Sequence, residues 1–459
     1  MTLSNKDTLC VHTFASPNVN FSRNEHRMCC HTKGYPITSA VINRQGPELF
    51  FQLAPLVQAK KDALMGIRPS ACSYCWKIED AGGVSPRSTH KEFVAYIAKT
   101  NWFKTQDHSE IRHKLDTLTE QGADHLARFL DHPTVLEIAL TNTCDLKCMY
   151  CSPHFSTQWA TELIKYGEIR ASDISTPSSD FQSVFWKYFL DSGFKHTEYI
   201  SFIGGEPLII NEFYTNLEII LANYDSHVNQ DELPSQININ VITNLNCQEK
   251  YFNKLLDLIP KILRNPRLRF RIGVSFESVT AKSEFIRTGT DWCRFDRNLN
   301  RLYEHVSMLP DSQKSRVELG CHVTINSLAV SGLPEFFTYI VGIRNKYGIH
   351  VRLYRNQVVW PGWMSPGVLS SDFAHYIDKS IQILETNLDN CIDVNSSGSW
   401  YAYCEFLKGI KVLILSDHSD MDAICKFSSE IDKMCTRRNL NFHKTFPEMV
   451  HFYNSIKQH

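Results

Sequence analysis

The chain has 459 residues, of which 43% are hydrophobic, and this is enough for two or three domains with large packed cores. Its formal net charge of −1 at pH 7 argues against an obligate nucleic-acid or membrane surface, because such partners usually require a strongly basic face. No apolar signal segment follows Met1 and no run of about 18 apolar residues is present, so we expect a cytoplasmic protein with reduced cysteines and no membrane partner.

The N-terminal segment, residues 1–89, is polar and carries a group of cysteines. These are Cys10, Cys29, Cys30, Cys72 and Cys75. The last two form a CxxC step, a spacing that occurs in both zinc sites and iron–sulfur clusters. The next segment, residues 90–132, mixes charged and apolar residues at helical spacing, which predicts a helical connector.

Residues 133–356 alternate between strand-like and helical patterns. The predicted strands are 135–141, 198–203, 237–243, 268–276, 317–325 and 349–354. The helices predicted between them are 181–190, 212–223, 248–263, 295–308 and 333–347. Strands that are separated by helices in this way are expected to run parallel and to be joined by right-handed crossovers.

Two further stretches complete the chain. Residues 357–459 are predicted to form a mostly helical extension, with helices over 370–388 and 446–453. Residues 152–180 are long for a loop, and we expect them either to line a substrate opening or to fold over the surface.

Three cysteines follow the first of these predicted strands in a CxxxCxxC spacing. They are Cys144, Cys148 and Cys151. A 4Fe-4S cluster normally takes four thiolates, so three ligands from one loop leave one iron open for another group. Zinc usually takes paired CxxC or HxxxH steps, and buried cysteines also occur as small hydrophobic residues. The spacing therefore favours a cluster with an open iron.

The second predicted strand ends in a glycine-rich turn. This turn consists of Gly204, Gly205, Glu206 and Pro207. Two glycines let the backbone approach a ligand closely, and the carboxylate of Glu206 is an acceptor for an ammonium group. Taken alone, such a turn is a weak signal, because similar turns connect many strands to helices.

The cysteine loop and this turn, each after a strand and in this order, resemble the radical S-adenosylmethionine superfamily. The resemblance implies an α/β fold with a partial (β/α)6 TIM-like barrel, a small N-terminal cysteine-rich module and a C-terminal helical extension. It also implies that Cys144, Cys148 and Cys151 bind a 4Fe-4S cluster and that S-adenosylmethionine chelates the open iron through its amino and carboxylate groups. The turn at 204–207 would receive the amino group.

The same resemblance assigns further cofactor-binding residues at the carboxyl ends of the strands, where ligands of such barrels collect. These are Tyr150 near the adenine, Asn244, Ser275 and Glu277 at the ribose and amino-acid portions, and Arg287 at the cofactor carboxylate. A guanidinium fork suits a carboxylate well. For each residue the alternative is a solvated loop position, a cap or a packing contact.

The N-terminal cysteines resemble the SPASM and twitch modules of radical enzymes, which hold an auxiliary 4Fe-4S cluster. The ligand set implied is Cys10, Cys29, Cys72 and Cys75, with Cys30 or His31 as the substitute for Cys29. In the better-known modules these cysteines follow the barrel, whereas here they precede it. Zinc is the alternative, because four soft ligands with one CxxC step also satisfy tetrahedral zinc.

The expected activity is reductive cleavage of S-adenosylmethionine to a 5′-deoxyadenosyl radical, which abstracts hydrogen from a substrate. By analogy with enzymes that carry auxiliary clusters, we expect the substrate to be a peptide or protein side chain. The alternative substrates are a nucleotide, a sugar or another small metabolite. An electron donor such as flavodoxin or ferredoxin would be a partner. A third hypothesis is a zinc-stabilised binding protein without catalysis.

Overall fold

The computed structural model describes residues 8–29, 31–45, 53–80, 85, 87, 107, 109–110, 113–114, 117, 122, 134–191, 193–227, 233–388, 398–416 and 421–457. Cys30 and most of the predicted connector lie outside the described residues. The chain divides into two compact units. Unit 1 comprises the described parts of Met1–Asn142, Arg170–Asn240 and Asn265–Arg269, and unit 2 those of Thr143–Ile169, Val241–Arg264 and Phe270–His459.

The described residues contain nine strands. They are β1 (Asn18–Asn20), β2 (Glu25–Arg27), β3 (Tyr35–Pro36), β4 (Val135–Ala139), β5 (Tyr199–Ile203), β6 (Ile237–Thr243), β7 (Leu268–Ser275), β8 (Val317–Ile325) and β9 (Arg352–Gln357). Their order in the sheet is β3-β2-β1-β4-β5-β6-β7-β8-β9. Parallel pairing joins β1 to β4, β4 to β5, β7 to β8 and β8 to β9, whereas β2 is antiparallel to β1 and β3. The predicted α/β class is confirmed, and the sheet is mostly parallel and open.

Helices account for much of the remaining described chain. They are Val11–Ala15, Ser39–Gln45, Ala54–Met65, Ser73–Asp80, Thr157–Lys165, Ser179–Asp191, Asn211–Ser226, Glu249–Leu263, Thr280–Ile286, Trp292–Ser307, Asp311–Lys314, Leu333–Tyr347, Ala374–Thr386, Trp400–Leu415, Met421–Arg438, Phe442–Thr445 and Val450–Ile456. Among these described helices, none combines the length and the apolar character that a membrane span needs.

Most of the predicted elements are confirmed, and the differences have local causes. β6 and β8 have the predicted bounds, but β9 begins three residues later than predicted. The preceding helix ends at Gly348 in the left-handed conformation, and pairing with β8 begins only where Arg352 lies opposite Gly320. The prediction of a loop over 152–180 is wrong in part, because the helix Thr157–Lys165 lies within it.

The strands of unit 2 have one apolar and one polar face. In β8, Leu319, Cys321 and Val323 are buried, whereas the alternating Glu318 and His322 are partly exposed. Parallel sheets are usually covered by apolar contacts on both faces, and successive side chains of a strand point to opposite sides. The polar face of β8 therefore differs from the interior of an ordinary parallel sheet.

Candidate functional site

The cysteine loop follows β4 in the chain and belongs to unit 2. Its three cysteines are half-buried free thiols at positions Cys144, Cys148 and Cys151. The middle of the loop pairs with the last residue of the helix Thr280–Ile286 and with the segment that follows it. Lys147 donates its backbone N–H to the carbonyl of Thr288 at 2.9 Å, and Met149 donates to Ile286 at 2.8 Å. These backbone bonds fix the conformation of the loop between its cysteines.

The helix Thr157–Lys165 packs on this loop through its first turn. The Ser156 side chain caps the helix by accepting from the backbone N–H of Trp159 at 3.2 Å, and it donates to the carbonyl of Leu146 at 2.6 Å. The indole N–H of Trp159 donates to the carbonyl of Cys148 at 2.6 Å. The capping interactions of the helix and the conformation of the loop are therefore coupled.

A buried ionic cluster connects the loop to the C-terminal helix Met421–Arg438. The carboxylate of Glu162 lies 2.5 Å from the Lys147 ammonium and 3.0 Å from the Arg438 guanidinium, and the Arg438 side chain is 0% exposed. Arg438 also donates to the Lys147 carbonyl at 2.7 Å and lies 4.5 Å above the Trp159 ring. The sequence analysis missed Arg438, because nothing in the local sequence signals such a distant contact.

The pKa of the Glu162 carboxyl is lower than its ordinary value. Burial acts to raise it, but hydrogen bonds from Arg438 and Lys147 outweigh this effect. The carboxylate is therefore charged at neutral pH and holds both cations against the loop.

Three predicted cofactor residues meet in unit 2. The hydroxyl of Tyr150 lies 3.1 Å from each carboxylate oxygen of Glu277 and donates to this carboxylate. Arg287 donates to the Tyr150 hydroxyl, and its guanidinium lies 3.7 Å from Glu277. The side chains of Glu277 and Arg287 are 0% and 8% exposed. Arg287, predicted to pair with a cofactor carboxylate, thus has a protein carboxylate beside it.

Burial has the largest effect on the pKa values around this trio. It raises the pKa of the Glu277 carboxyl and of the Cys148 thiol, and the positive charge of Arg287 opposes both shifts. Burial also raises the pKa of the Cys151 thiol to about 12, with a contribution from the negative charge of Cys148. Both thiols therefore need a bound cation before they can be thiolates at neutral pH.

The two predicted residues at neighbouring strand ends have different surroundings. Asn244, which follows β6, donates its side-chain amide to the carboxylate of Asp145 at 2.8 Å, next to Cys144 in the sequence. Ser275 is the last residue of β7 and lies opposite His322 of β8. Asn244 therefore fixes the start of the cysteine loop, whereas Ser275 lies on the polar face of the strands.

The glycine-rich turn belongs to unit 1. Gly204 has φ +122°, and a Cβ at this position would lie 2.7 Å from the carbonyl oxygen of Thr141. Gly205 donates its N–H to the same carbonyl at 2.8 Å. Glu206 is buried and caps the following turn by accepting from the N–H of Leu208 at 3.1 Å, and Pro207 is the first residue of this turn. Packing against the end of β4 therefore explains why this turn requires a glycine at position 204.

The four cysteines predicted to form the N-terminal site line one pocket in unit 1. Its lining includes Cys10, Cys29, Cys72, Cys75, His31 and Arg87. The cysteines come from four places: the start of the helix Val11–Ala15, the segment after β2, the turn Ser70–Cys72 and the helix Ser73–Asp80. Burial, with the charges of neighbouring thiolates, raises the pKa of Cys29 and of Cys72 to about 12. The pocket thus gathers soft donors that a cation would stabilise.

A cation and an aromatic ring lie beside this pocket. The guanidinium of Arg87 lies 3.9 Å above the ring of Trp76, and its side chain is 7% exposed. Arg87 forms an ion pair with Glu79, which also accepts from the hydroxyl of Ser85. Arg87 therefore lies beside the helix that carries Cys75, and its buried positive charge favours thiolates.

No protein-family model matches the sequence, and a search of curated proteins gives no significant match. In the described part of the chain, no group of three or more His, Cys, Asp or Glu side chains is arranged as the ligands of a single metal ion. The resemblance to radical enzymes therefore rests on the motifs of the sequence.

Proposed function

We propose that this chain is a radical S-adenosylmethionine enzyme. The contact between Tyr150, Glu277 and Arg287 in unit 2 is the observation that carries the proposal. The resemblance assigns these residues to one cofactor site, although they lie far apart in the chain: Glu277 follows Tyr150 by 127 positions. Contact between residues that are assigned to the same cofactor supports their assignment to one cofactor site.

We also propose that β4 to β9 form the partial (β/α)6 barrel of this superfamily. Their order along the sheet follows their order in the chain, as successive right-handed crossovers would give. Under this proposal the polar face of β7 to β9 is the interior of the barrel. A polar interior suits a chamber that admits a hydrophilic substrate.

The residue types of the cysteine loop suit a 4Fe-4S cluster, although the described side chains are not arranged as the ligands of a single metal ion. Cys144, Cys148 and Cys151 are free thiols on one loop, and soft thiolates are the ligands that such clusters take. Cys144, Cys148 and Cys151 would hold the cluster, which would supply the electron for reductive cleavage of S-adenosylmethionine and so for hydrogen abstraction from a substrate. Three protein ligands would leave one iron open for the cofactor.

The surrounding residues hold the cysteine loop in place. Arg438, Lys147 and Glu162 fix the backbone of the loop from one side. Tyr150 and Arg287 keep the buried Glu277 carboxylate hydrogen-bonded and charge-compensated. Because Arg287 is already engaged within this trio, we assign it the role of orienting Tyr150 and Glu277 rather than of binding the cofactor carboxylate by itself.

We further propose that the N-terminal pocket holds an auxiliary 4Fe-4S cluster through Cys10, Cys29, Cys72 and Cys75. The four free thiols around one pocket support this assignment, and the buried Arg87 compensates the negative charge of the thiolates. The choice of a peptide or protein substrate, and of flavodoxin or ferredoxin as the electron donor, follows from the resemblance to enzymes with auxiliary clusters.

The experiment that tests the function is cofactor cleavage. We would reconstitute the protein anaerobically with iron and sulfide, reduce it with dithionite in the presence of S-adenosylmethionine, and measure 5′-deoxyadenosine and methionine. The wild type should form both products, and the Cys144→Ala/Cys148→Ala/Cys151→Ala variant should form neither. A matched control, Cys293→Ala/Cys425→Ala/Cys435→Ala, removes three cysteines elsewhere and should behave as the wild type. Absence of cleavage in the wild type would refute the proposal.

A further inference from the structure

The N-terminal cysteine pocket and the glycine-rich turn both belong to unit 1, and a short hairpin of β1 and β2 connects them. Two of the pocket cysteines flank this hairpin. Cys10 lies eight positions before the start of β1, and Cys29 lies two positions after the end of β2. The other two, Cys72 and Cys75, come from a later part of the chain. A metal bound by all four cysteines would therefore tie the hairpin to that later segment.

Strand β1 joins the hairpin to the parallel part of the sheet. It pairs in parallel with β4, and the backbone N–H of Glu137 in β4 donates to the carbonyl of Pro17 at 3.1 Å. The side chain of Val19, in the middle of β1, is 1% exposed. β1 and β2 have three residues each, and an isolated hairpin of this size is not stable in water. The hairpin therefore depends on its neighbours for order.

A single row of residues crosses three strands and ends at the glycine-rich turn. Asn20 of β1 lies opposite Ala139 of β4, and Ala139 lies opposite Ile203, the last residue of β5. The turn starts at the next residue. Its Gly205 donates the backbone N–H to the carbonyl of Thr141, just beyond β4, at 2.8 Å. Because the three strands share hydrogen bonds, order in β1 supports the backbone that holds the turn.

The hairpin also packs on the helix that leads to β5. Phe21 directly follows β1, and its side chain is fully buried. Its ring lies 5.4 Å from the rings of Phe181 and Phe185 in the helix Ser179–Asp191. The hairpin is therefore linked to both β4 and the segment before β5, the two strands that position the turn.

We propose that metal binding in the N-terminal pocket orders the hairpin and, through the shared row of β1, β4 and β5, the glycine-rich turn. The described side chains are not arranged as the ligands of a single metal ion, so binding must draw the pocket cysteines together. This movement acts on Cys10 and Cys29, and so on both ends of the hairpin. Closing the loop from Cys10 to Cys75 also removes conformational freedom from the segment between them. The link to cofactor binding rests on the proposed function, whereas the coupling itself does not.

The test follows hydrogen exchange by mass spectrometry in the reduced apoprotein, with and without equimolar Zn²⁺ as the probe. Every protein carries the substitutions Cys144→Ala/Cys148→Ala/Cys151→Ala, so that zinc cannot bind the cysteine loop. Zinc should slow exchange about tenfold in peptides that cover residues 18–27 and 200–208. Peptides of β8, which belongs to unit 2, should exchange at an unchanged rate.

Two variants in this background separate the pocket from other thiols. Cys72→Ser/Cys75→Ser removes two pocket cysteines and should abolish both zinc binding and the slower exchange. Cys293→Ser/Cys425→Ser removes two exposed cysteines outside the pocket and should behave as the background protein. Thermal unfolding monitored by circular dichroism checks that both variants are folded. The comparison with and without zinc in the background protein tests the coupling even if the first variant does not fold.

The outcomes separate this inference from the proposed function. Zinc binding that slows exchange in the hairpin but not in the turn would overturn the coupling. Equal slowing in β8 would also overturn it, because it would show general stabilisation of the chain, and so would absence of zinc binding. None of these results depends on cofactor cleavage. A wild type that forms no 5′-deoxyadenosine would refute the proposed function and leave the coupling intact.

Discussion

At the scale of single residues, the sequence pointed to members of a candidate site but not to the contacts between them. The example is the trio Tyr150, Glu277 and Arg287. Each was identified from its position in a motif or after a strand, and the structure places all three in contact. Their mutual pairing could not be predicted, because residues 127 positions apart leave no local pattern that names the partner. The buried charge of Arg287 requires such a partner on physical grounds alone.

The first prediction concerns this buried ion pair. The Glu277→Gln variant leaves the Arg287 guanidinium buried without a counter-charge, so the free energy of unfolding should fall by about 3 kcal/mol. The double variant Glu277→Gln/Arg287→Gln should lose less than the sum of the two single variants, because it leaves no unpaired charge. Urea denaturation of the four proteins measures this coupling. Additive losses would contradict the account.

The second prediction concerns His322, whose ring stacks on Tyr354 with the centroids 4.7 Å apart and lies over Gly273. Burial lowers the pKa of His322 from 6.5 to about 4. Between these pH values the unfolded chain binds a proton at this residue and the folded chain does not. The unfolded state is therefore favoured as the pH falls, and stability at this site is lost between pH 6.5 and about 4.

The contribution of His322 to this loss of stability can be measured with a variant that has no ionisable group at position 322. The His322→Phe variant keeps a ring of similar size and removes the ionisable group. The wild type should lose about 3 kcal/mol more stability than the variant between neutral pH and pH 4. Denaturation curves at a series of pH values test this difference. Parallel pH profiles for the two proteins would show that His322 is free to protonate in the folded state.

At the scale of elements, the sequence predicted long periodic segments well and short or polar ones poorly. β6 and β8 were predicted correctly because seven to nine residues of apolar patterning define a strand. β1 and β3 have three and two residues, which is too short for a period to be recognised. The helix Thr157–Lys165 was missed because residues 152–180, which follow the cysteines, were treated as one long loop.

The third prediction concerns the C-terminal helix Met421–Arg438 as a support of the cysteine loop. Among the described residues, the Arg438→Met variant leaves Glu162 paired with Lys147 alone, and it removes the bond to the Lys147 carbonyl. We expect a loss of about 3 kcal/mol in the free energy of unfolding and faster proteolysis of the loop in the apoprotein. Limited proteolysis with mass spectrometry and urea denaturation measure the two effects.

The neighbouring arginine provides the control for this experiment. Arg437 pairs with Glu168, which is 37% exposed, and it makes no contact with the loop backbone in the described residues. The Arg437→Met variant should lose less stability than the Arg438→Met variant, because Glu168 stays in contact with solvent, and it should leave the rate of loop cleavage unchanged. Equal effects of the two substitutions would argue against a specific role of Arg438.

At the scale of the whole molecule, the sequence predicted the α/β class but not how the chain divides into compact units. The boundary between Asn240 and Val241 falls inside β6, where the apolar pattern continues without a break. Turns and linkers are the signals that a sequence offers for such boundaries, and a strand contains neither. The predicted division at residues 89, 132 and 356 stays a prediction.

The fourth prediction concerns the metal content of the molecule. After anaerobic reconstitution the wild type should contain about eight irons per chain, and the Cys72→Ala/Cys75→Ala variant about four, because the proposed auxiliary site loses two of its four ligands. Iron, sulfide and zinc analysis measures this. About four irons and one zinc per chain in the wild type would agree with the proposed enzyme but would show that the N-terminal site holds zinc in place of an auxiliary cluster.

The most direct test of the central claim is electron paramagnetic resonance of the dithionite-reduced protein, recorded with and without S-adenosylmethionine. If the cysteine loop holds a cluster with an open iron, adding the cofactor should change the wild-type spectrum. The same addition should change nothing in the Cys144→Ala/Cys148→Ala/Cys151→Ala variant. A wild-type spectrum that is identical with and without the cofactor would contradict the account.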